Sequence, residues 1–153
     1  MLLNRRTFAI AAAASLAPGP LFAASASNTM LVFRDPGCGC CGAWVDHVRK
    51  AGFVAEVREV EDVAPYKQKF GVPEKLTSCH TAQIDGYVIE GHVPADAIKR
   101  LLTERPKATG LAVAGMPAGS PGMEGGTPQA FDVILFGPGT ETPFARYIGP
   151  KQL

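Results

Sequence analysis

The chain has 153 residues, with 15 Lys and Arg against 14 Asp and Glu and a formal net charge of +1. That balance excludes a partner held by bulk charge, so neither nucleic acid nor an anionic surface is expected. With 46% hydrophobic residues the composition is that of a globular domain, apart from 17 glycines and 13 prolines.

Residues 1–26 read as an export signal. Arg5 and Arg6 precede an apolar run from Phe8 to Ala17, and Pro18, Gly19 and Pro20 lead to small residues at Ala24 and Ala26 that suit cleavage. The run is far below the ~20 residues that cross a bilayer as a helix, so no membrane anchor is expected after cleavage. The arginine pair followed by Phe8 resembles a twin-arginine signal, with Asn4 standing where Ser or Thr is usual. The expected location is the periplasm, and residues 27–153 are expected to fold as one nearly neutral domain.

TMLVFRDP (29–36) is apolar and β-branched and stops at Pro36, as a strand does. In GAWVDHVRKAG (42–52), Trp44, Val45, Val48 and Ala51 recur at helical spacing and Gly52 closes the helix. FVAEVREVE (53–61) alternates as a second strand, and Asp62 can cap a short helix carrying Val63, Tyr66 and Phe70 before Gly71. CHTAQIDGYVIEGHVP (79–94) gives two strand-like runs joined by Asp85-Gly86, a tight-hairpin signal. Pro94 suits the first position of a further helix, Asp96 complements its N-terminus, and Ile98, Leu101 and Leu102 supply its apolar face before Pro106. Residues 108–129 have no sustained period and predict a long ordered loop, and 130–137 and 144–149 predict one further strand and a shorter one.

The sum is βαβ(α)ββα with a C-terminal strand extension. This is an α/β fold of thioredoxin-like type, three-layered, with a mixed parallel and antiparallel sheet between helices on both faces. Such a topology brings Cys79, at the start of a later strand, beside the helix opened by Cys38, Cys40 and Cys41. All four cysteines of the chain can therefore converge.

Three chemistries compete for these thiols. An exported chain with four cysteines can form structural disulfides, in three possible pairings. Cys38 and Cys41 are also a Cys-x-x-Cys pair opening a helix, the arrangement of a thiol-disulfide oxidoreductase, although that reading leaves Cys40 and Cys79 unused. Metal binding uses every cysteine. Adjacent Cys40 and Cys41 are awkward ligands for one zinc ion, whereas several copper(I) ions sharing bridging sulfurs would best neutralise four thiolates. The helix N-terminus and the glycine-rich turn also predict lowered thiol pKa values.

Met116 and Met123 lie in GMPAGSPGME, without the period of a core segment, and as thioethers they suit copper(I). His47 reads as a flanking residue. His80 follows Cys79 directly and in a regular strand would point to the opposite face, and His92 at a strand end is read as a non-ligand too.

DPGCGCCGAWVDHV, SCHTAQIDGYVIEGHVPADAIKRLL and AVAGMPAGSPGME together resemble the CopG-type periplasmic copper-resistance proteins, a metal-binding family. The resemblance implies a thioredoxin-like fold, cysteine-bound copper in a multinuclear cluster, and copper handling beside periplasmic efflux components. The implied ligands are Cys38, Cys40, Cys41 and Cys79, with Met116 and Met123 in the loop alongside. The expected function is copper(I) sequestration or transfer, as a metal-binding protein or metallochaperone more than as an enzyme, with copper-linked redox activity of the thiols left open. Thiol-disulfide exchange through Cys38 and Cys41 is the alternative.

Overall fold

The apolar run ahead of Pro36 forms strand β1 (Thr29–Arg34) in the computed structural model, which describes residues 28–153. The expected export signal lies outside the described residues. After β1 the chain turns through Asp35, whose side chain accepts the Gly37 N–H at 2.6 Å, and enters helix α1 (Gly39–Lys50). The helix starts three residues before the expected segment. Cys41, Trp44, Val45 and Val48 are its buried residues, so the apolar stripe already begins in its first turn. Cys38 is the N-cap, with Cys40 and Cys41 following immediately.

Strand β2 (Val54–Glu59) returns parallel to β1, as a β-α-β unit requires. Helix α2 (Ala64–Lys69) follows, its Ala64 N–H bonded to Asp62 Oδ1 at 2.8 Å, and a short 3-10 helix spans Glu74–Leu76. Strands β3 (His80–Ile84) and β4 (Tyr87–Glu90) form the expected hairpin. Asp85 and Gly86 take φ values of 47° and 85°, the left-handed pair that a two-residue hairpin turn needs. Helix α3 (Ala95–Glu104) has Pro94 as its N-cap rather than as its first helical residue.

Residues 108–129 are not loop throughout. Gly110–Ala112 forms a short, fully buried strand, β5, which pairs parallel to β4. Its three residues are too few to show a period. Strands β6 (Ala130–Gly137), β7 (Thr140–Ile148) and β8 (Lys151–Gln152) then extend the sheet, with β7 longer than expected and passing Pro143 at a register shift opposite Val133 and Ile134. The result is one mixed eight-stranded sheet in the order β2-β1-β3-β4-β5-β6-β7-β8.

Alternation along the strands divides the core between two faces. Met30, Val32, Ala82, Ile84 and Ile89 pack with Trp44 and Val48 of α1 and Ile98 and Leu101 of α3. On the other face Phe33 stacks on Tyr66 at 4.2 Å, and Val88 packs with Leu76 and Phe136. Helices therefore cover both faces, giving the three layers expected. No helix among the described residues is long and apolar enough to cross a membrane.

A buried ion pair pins α2 to the hairpin. Glu90 is fully buried and accepts Lys67 Nζ at 2.6 Å, Thr81 Oγ1 at 2.7 Å and the Ser78 N–H at 2.6 Å. The last bond fixes the residue before Cys79. Removing the carboxylate charge leaves the Lys67 ammonium uncompensated in the interior, so Glu90→Gln should lose about 3–5 kcal/mol of stability in urea unfolding. A loss below about 1 kcal/mol would show that the pair is solvated.

Candidate metal centre

The site is built where β1 ends, α1 begins and β3 starts. Antiparallel pairing sets Arg34 opposite His80, so the residue before His80 meets the turn that carries Cys38. The turn itself is held by the Cys38 N–H donating to the Asp35 carbonyl at 3.2 Å and by Arg34 Nη1 donating to the Cys38 carbonyl at 3.1 Å. Arg34 in turn pairs with Glu59 at 2.7 Å across to β2.

The four cysteine sulfurs all lie within 4.8 Å of one another. Cys38 and Cys41 are joined as a disulfide, while Cys40 and Cys79 are free. Cys40 Sγ is 3.5 Å from Cys38 Sγ and 3.8 Å from Cys79 Sγ. Of the three ways of pairing four cysteines, the structure realises only the Cys38–Cys41 half of one.

The loop between β5 and β6 folds over this group. Gly115 donates its N–H to the Thr77 carbonyl at 3.0 Å and accepts the Ser78 hydroxyl, which clamps the start of the loop beside Cys79. Met116, 53% exposed, then reaches Cys40 Sγ with its Sδ at 4.0 Å. Of the two loop methionines only Met116 contacts a cysteine sulfur among the described residues. Met123 closes a turn of the loop, its N–H bonded to the Ser120 carbonyl and its carbonyl to the Gly119 N–H, each at 2.8 Å. Gly122, at φ +86°, lies so close to α1 that a Cβ there would stand 2.6 Å from the Cys40 carbonyl oxygen.

Two histidines join the site from the other side. His92 Nε2 is 3.0 Å from Cys79 Sγ, and its Nδ1 is 2.8 Å from the Pro121 carbonyl. A carbonyl only accepts, so neutral His92 carries its proton on Nδ1 and turns the Nε2 lone pair to the sulfur. His80 Nδ1 lies 3.5 Å from the same sulfur, and its ring packs 4.4 Å from Trp44 and edge-on to His92 at 5.1 Å. Burial lowers the pKa of both imidazoles, most strongly at His80, where His92 adds to the effect. His47 lies apart, accepting the Ala95 N–H at the start of α3 on Nε2 at 3.1 Å.

The expected lowering of thiol pKa fails at Cys79. Burial first, and the neighbouring Cys40 second, push this thiol up to about 11. The Ser78 hydroxyl, which hydrogen-bonds to this sulfur, acts in the lowering direction but does not offset desolvation. Alternation also misplaced His80, because β3 begins at His80 and Cys79 sits in the bend ahead of it. The signal for His92 was present in the sequence. A two-residue Asp85-Gly86 turn pairs Thr81 with Glu90, and two further steps along each strand set Cys79 opposite His92.

A family model described as a protein of unknown function, DUF411, matches residues 76–123, the stretch from before Cys79 to Met123. No curated protein matches. Two solved structures, described as copper resistance protein CopG in form 2 and form 1, are 42% and 41% identical to this chain. Each match covers 78% of this chain, and 97% and 96% of the other, with TM-scores of 0.74 and 0.73.

The contact between loop and helix generates a prediction. Gly122→Ala places a side chain in a left-handed conformation against the Cys40 carbonyl, and should cost roughly 1–3 kcal/mol in urea unfolding. The displaced loop should also expose Cys40 to faster alkylation. Unchanged stability and alkylation would show that the loop does not rest on α1.

Proposed function

The chain belongs to the family of the copper resistance protein CopG, and on that premise we propose that it is an exported protein that binds copper(I) in a cysteine cluster. The observation that carries this reading is the meeting of all four sulfurs within 4.8 Å, although Cys79 lies 39 residues beyond Cys40.

Reduction of the Cys38–Cys41 disulfide by an external dithiol, with two electrons and two protons, yields four thiols in one pocket. Deprotonated together they would carry a charge of about −4 in a partly buried site, which mutual repulsion opposes. Soft monovalent ions remove that excess, and several ions sharing bridging sulfurs remove more of it than one. Each ion bound displaces protons. Met116 suits a role at the rim, where a thioether adds a soft donor without further charge. Met123, folded into the loop turn, serves by shaping the lid.

Disulfide formation at Cys38 and Cys41 withdraws two of the four ligands, so the oxidation state of this pair controls copper retention. The thioredoxin-like reading of the core, supported by the order β2-β1-β3-β4, belongs to the same proposal. So do residues 1–26 as an export signal, periplasmic location, and sequestration of copper or its transfer to efflux components. The same disulfide favours a second reading. In it Cys38 and Cys41 exchange disulfides with a substrate protein, and Cys40 and Cys79 are dispensable.

Titration of reduced protein with copper(I) against a chromophoric competitor separates the two. The cluster predicts that Cys40→Ser with Cys79→Ser lowers apparent affinity by more than about 100-fold. Full binding in the double variant would contradict it. A pH series adds a signed test. Burial raises the Cys79 thiol well above its ordinary value, so it is protonated at neutral pH and apparent affinity rises with pH by up to about tenfold per unit for this one thiol. Cys79→Ser should therefore lower the slope of log affinity against pH by about one.

A further inference from the structure

We propose that Cys79, His80 and His92 form a second metal subsite, which shares Cys79 with the sulfur cluster and takes one borderline divalent ion, of the zinc(II) and copper(II) class, while Cys38 and Cys41 are joined. The proposal rests on the copper-handling reading only in treating this pocket as a place for metal.

One ligand atom from each of the three residues lies within 4.8 Å of the others, and none of the three belongs to the disulfide. The disulfide sulfurs carry no charge, which leaves Cys40 and Cys79 as the thiols of the oxidised protein. A cluster of soft ions then lacks half its bridges. Cys79 keeps two nitrogen neighbours, His92 Nε2 at 3.0 Å and His80 Nδ1 at 3.5 Å. One thiolate with two imidazoles is a borderline donor set, suited to zinc(II) and copper(II) rather than to copper(I) alone.

The surroundings are those of an oriented ligand shell. His92 donates Nδ1–H to the Pro121 carbonyl at 2.8 Å, the outer-shell bond that fixes the tautomer and ring plane of a metal-binding histidine. Pro121 is itself buried, and the adjacent Gly122 packs against α1, so the carbonyl is held in place. His80 is fully buried and its Nε2 has no hydrogen-bond partner among the described residues. An imidazole so enclosed, with the Cys79 sulfur beside Nδ1 and the Gly91 backbone near the ring, is costly unless one of these contacts is strong. A metal bond shared with Cys79 would supply the strength. Trp44 packs on the His80 ring at 4.4 Å with the planes tilted by 43°, while its Nε1 donates to the Val93 carbonyl at 2.9 Å.

Cobalt(II) serves as the probe, since it does not oxidise thiols and its spectrum reports thiolate ligation. Protein with the Cys38–Cys41 disulfide intact should bind one cobalt(II) per chain with a sulfur-to-cobalt charge-transfer band, and X-ray absorption should show nitrogen as well as sulfur in the first shell. His92→Gln should weaken cobalt(II) at least about tenfold. Cys38→Ala with Cys41→Ala should retain cobalt(II) and lose copper(I). Cobalt(II) bound without sulfur or without nitrogen, or affinity unchanged in His92→Gln, would overturn the subsite. The X-ray absorption measurement needs no variant, so it decides even if the buried histidines do not tolerate substitution. Loss of the cluster reading would appear separately, as copper(I) binding indifferent to the cysteine pair.

Discussion

Antiparallel pairing of β1 with β3 is the constraint on which the site depends. β1 delivers the chain to the turn and first helical residues that hold three cysteines, and β3 starts beside that turn with the fourth. A slip of one residue in this pairing would turn every side chain of β3 to the other face and carry Cys79 away from Cys40. The register is held from both faces. Val32, Ala82 and Ile84 are sealed under α1 and α3, and Thr81 is tied to the Lys67–Glu90 pair beneath α2. The charges buried beneath α2 thus help to position the cysteine sulfurs at the start of α1 and β3.

The loop between β5 and β6 depends on the same frame. It is rich in glycine because it must approach backbone closely, and at Gly122 a side chain would collide with the Cys40 carbonyl. Its anchors are Thr77 and Ser78, and Glu90 holds the Ser78 N–H, so Cys79 and the loop bearing Met116 are clamped at one point. Electrostatics add a second consequence. Burial and the neighbouring Cys40 push the Cys79 thiol up to about 11, so this group resists carrying charge without a cation beside it.

Much of this was legible in the sequence because it rested on strong local signals. The Asp85-Gly86 turn, the apolar run of β1, the apolar stripe of α1 and the alternation in β2 gave the β-α-β and hairpin units, and the Cys-x-Cys-Cys turn marked one half of the site. β5 escaped notice since three buried residues between glycines and a proline have no period, and its place is dictated by the neighbouring strands. The closeness of the two histidines to Cys79 is hard to read for a different reason. Strand alternation does not extend across the start of β3, where Cys79 is not yet in the strand, and His92 meets Cys79 only through a pairing count that spans the whole hairpin. The Cys38–Cys41 disulfide could not be chosen from spacing alone, as the same spacing serves exchange and metal binding.

The account turns on sulfurs from two distant segments holding soft ions jointly. Copper X-ray absorption on reduced, copper(I)-loaded protein prepared without oxygen tests this most directly. The account predicts a first shell of sulfur and a copper neighbour at short range. Isolated copper with no metal neighbour, or a first shell of nitrogen and oxygen, would contradict it.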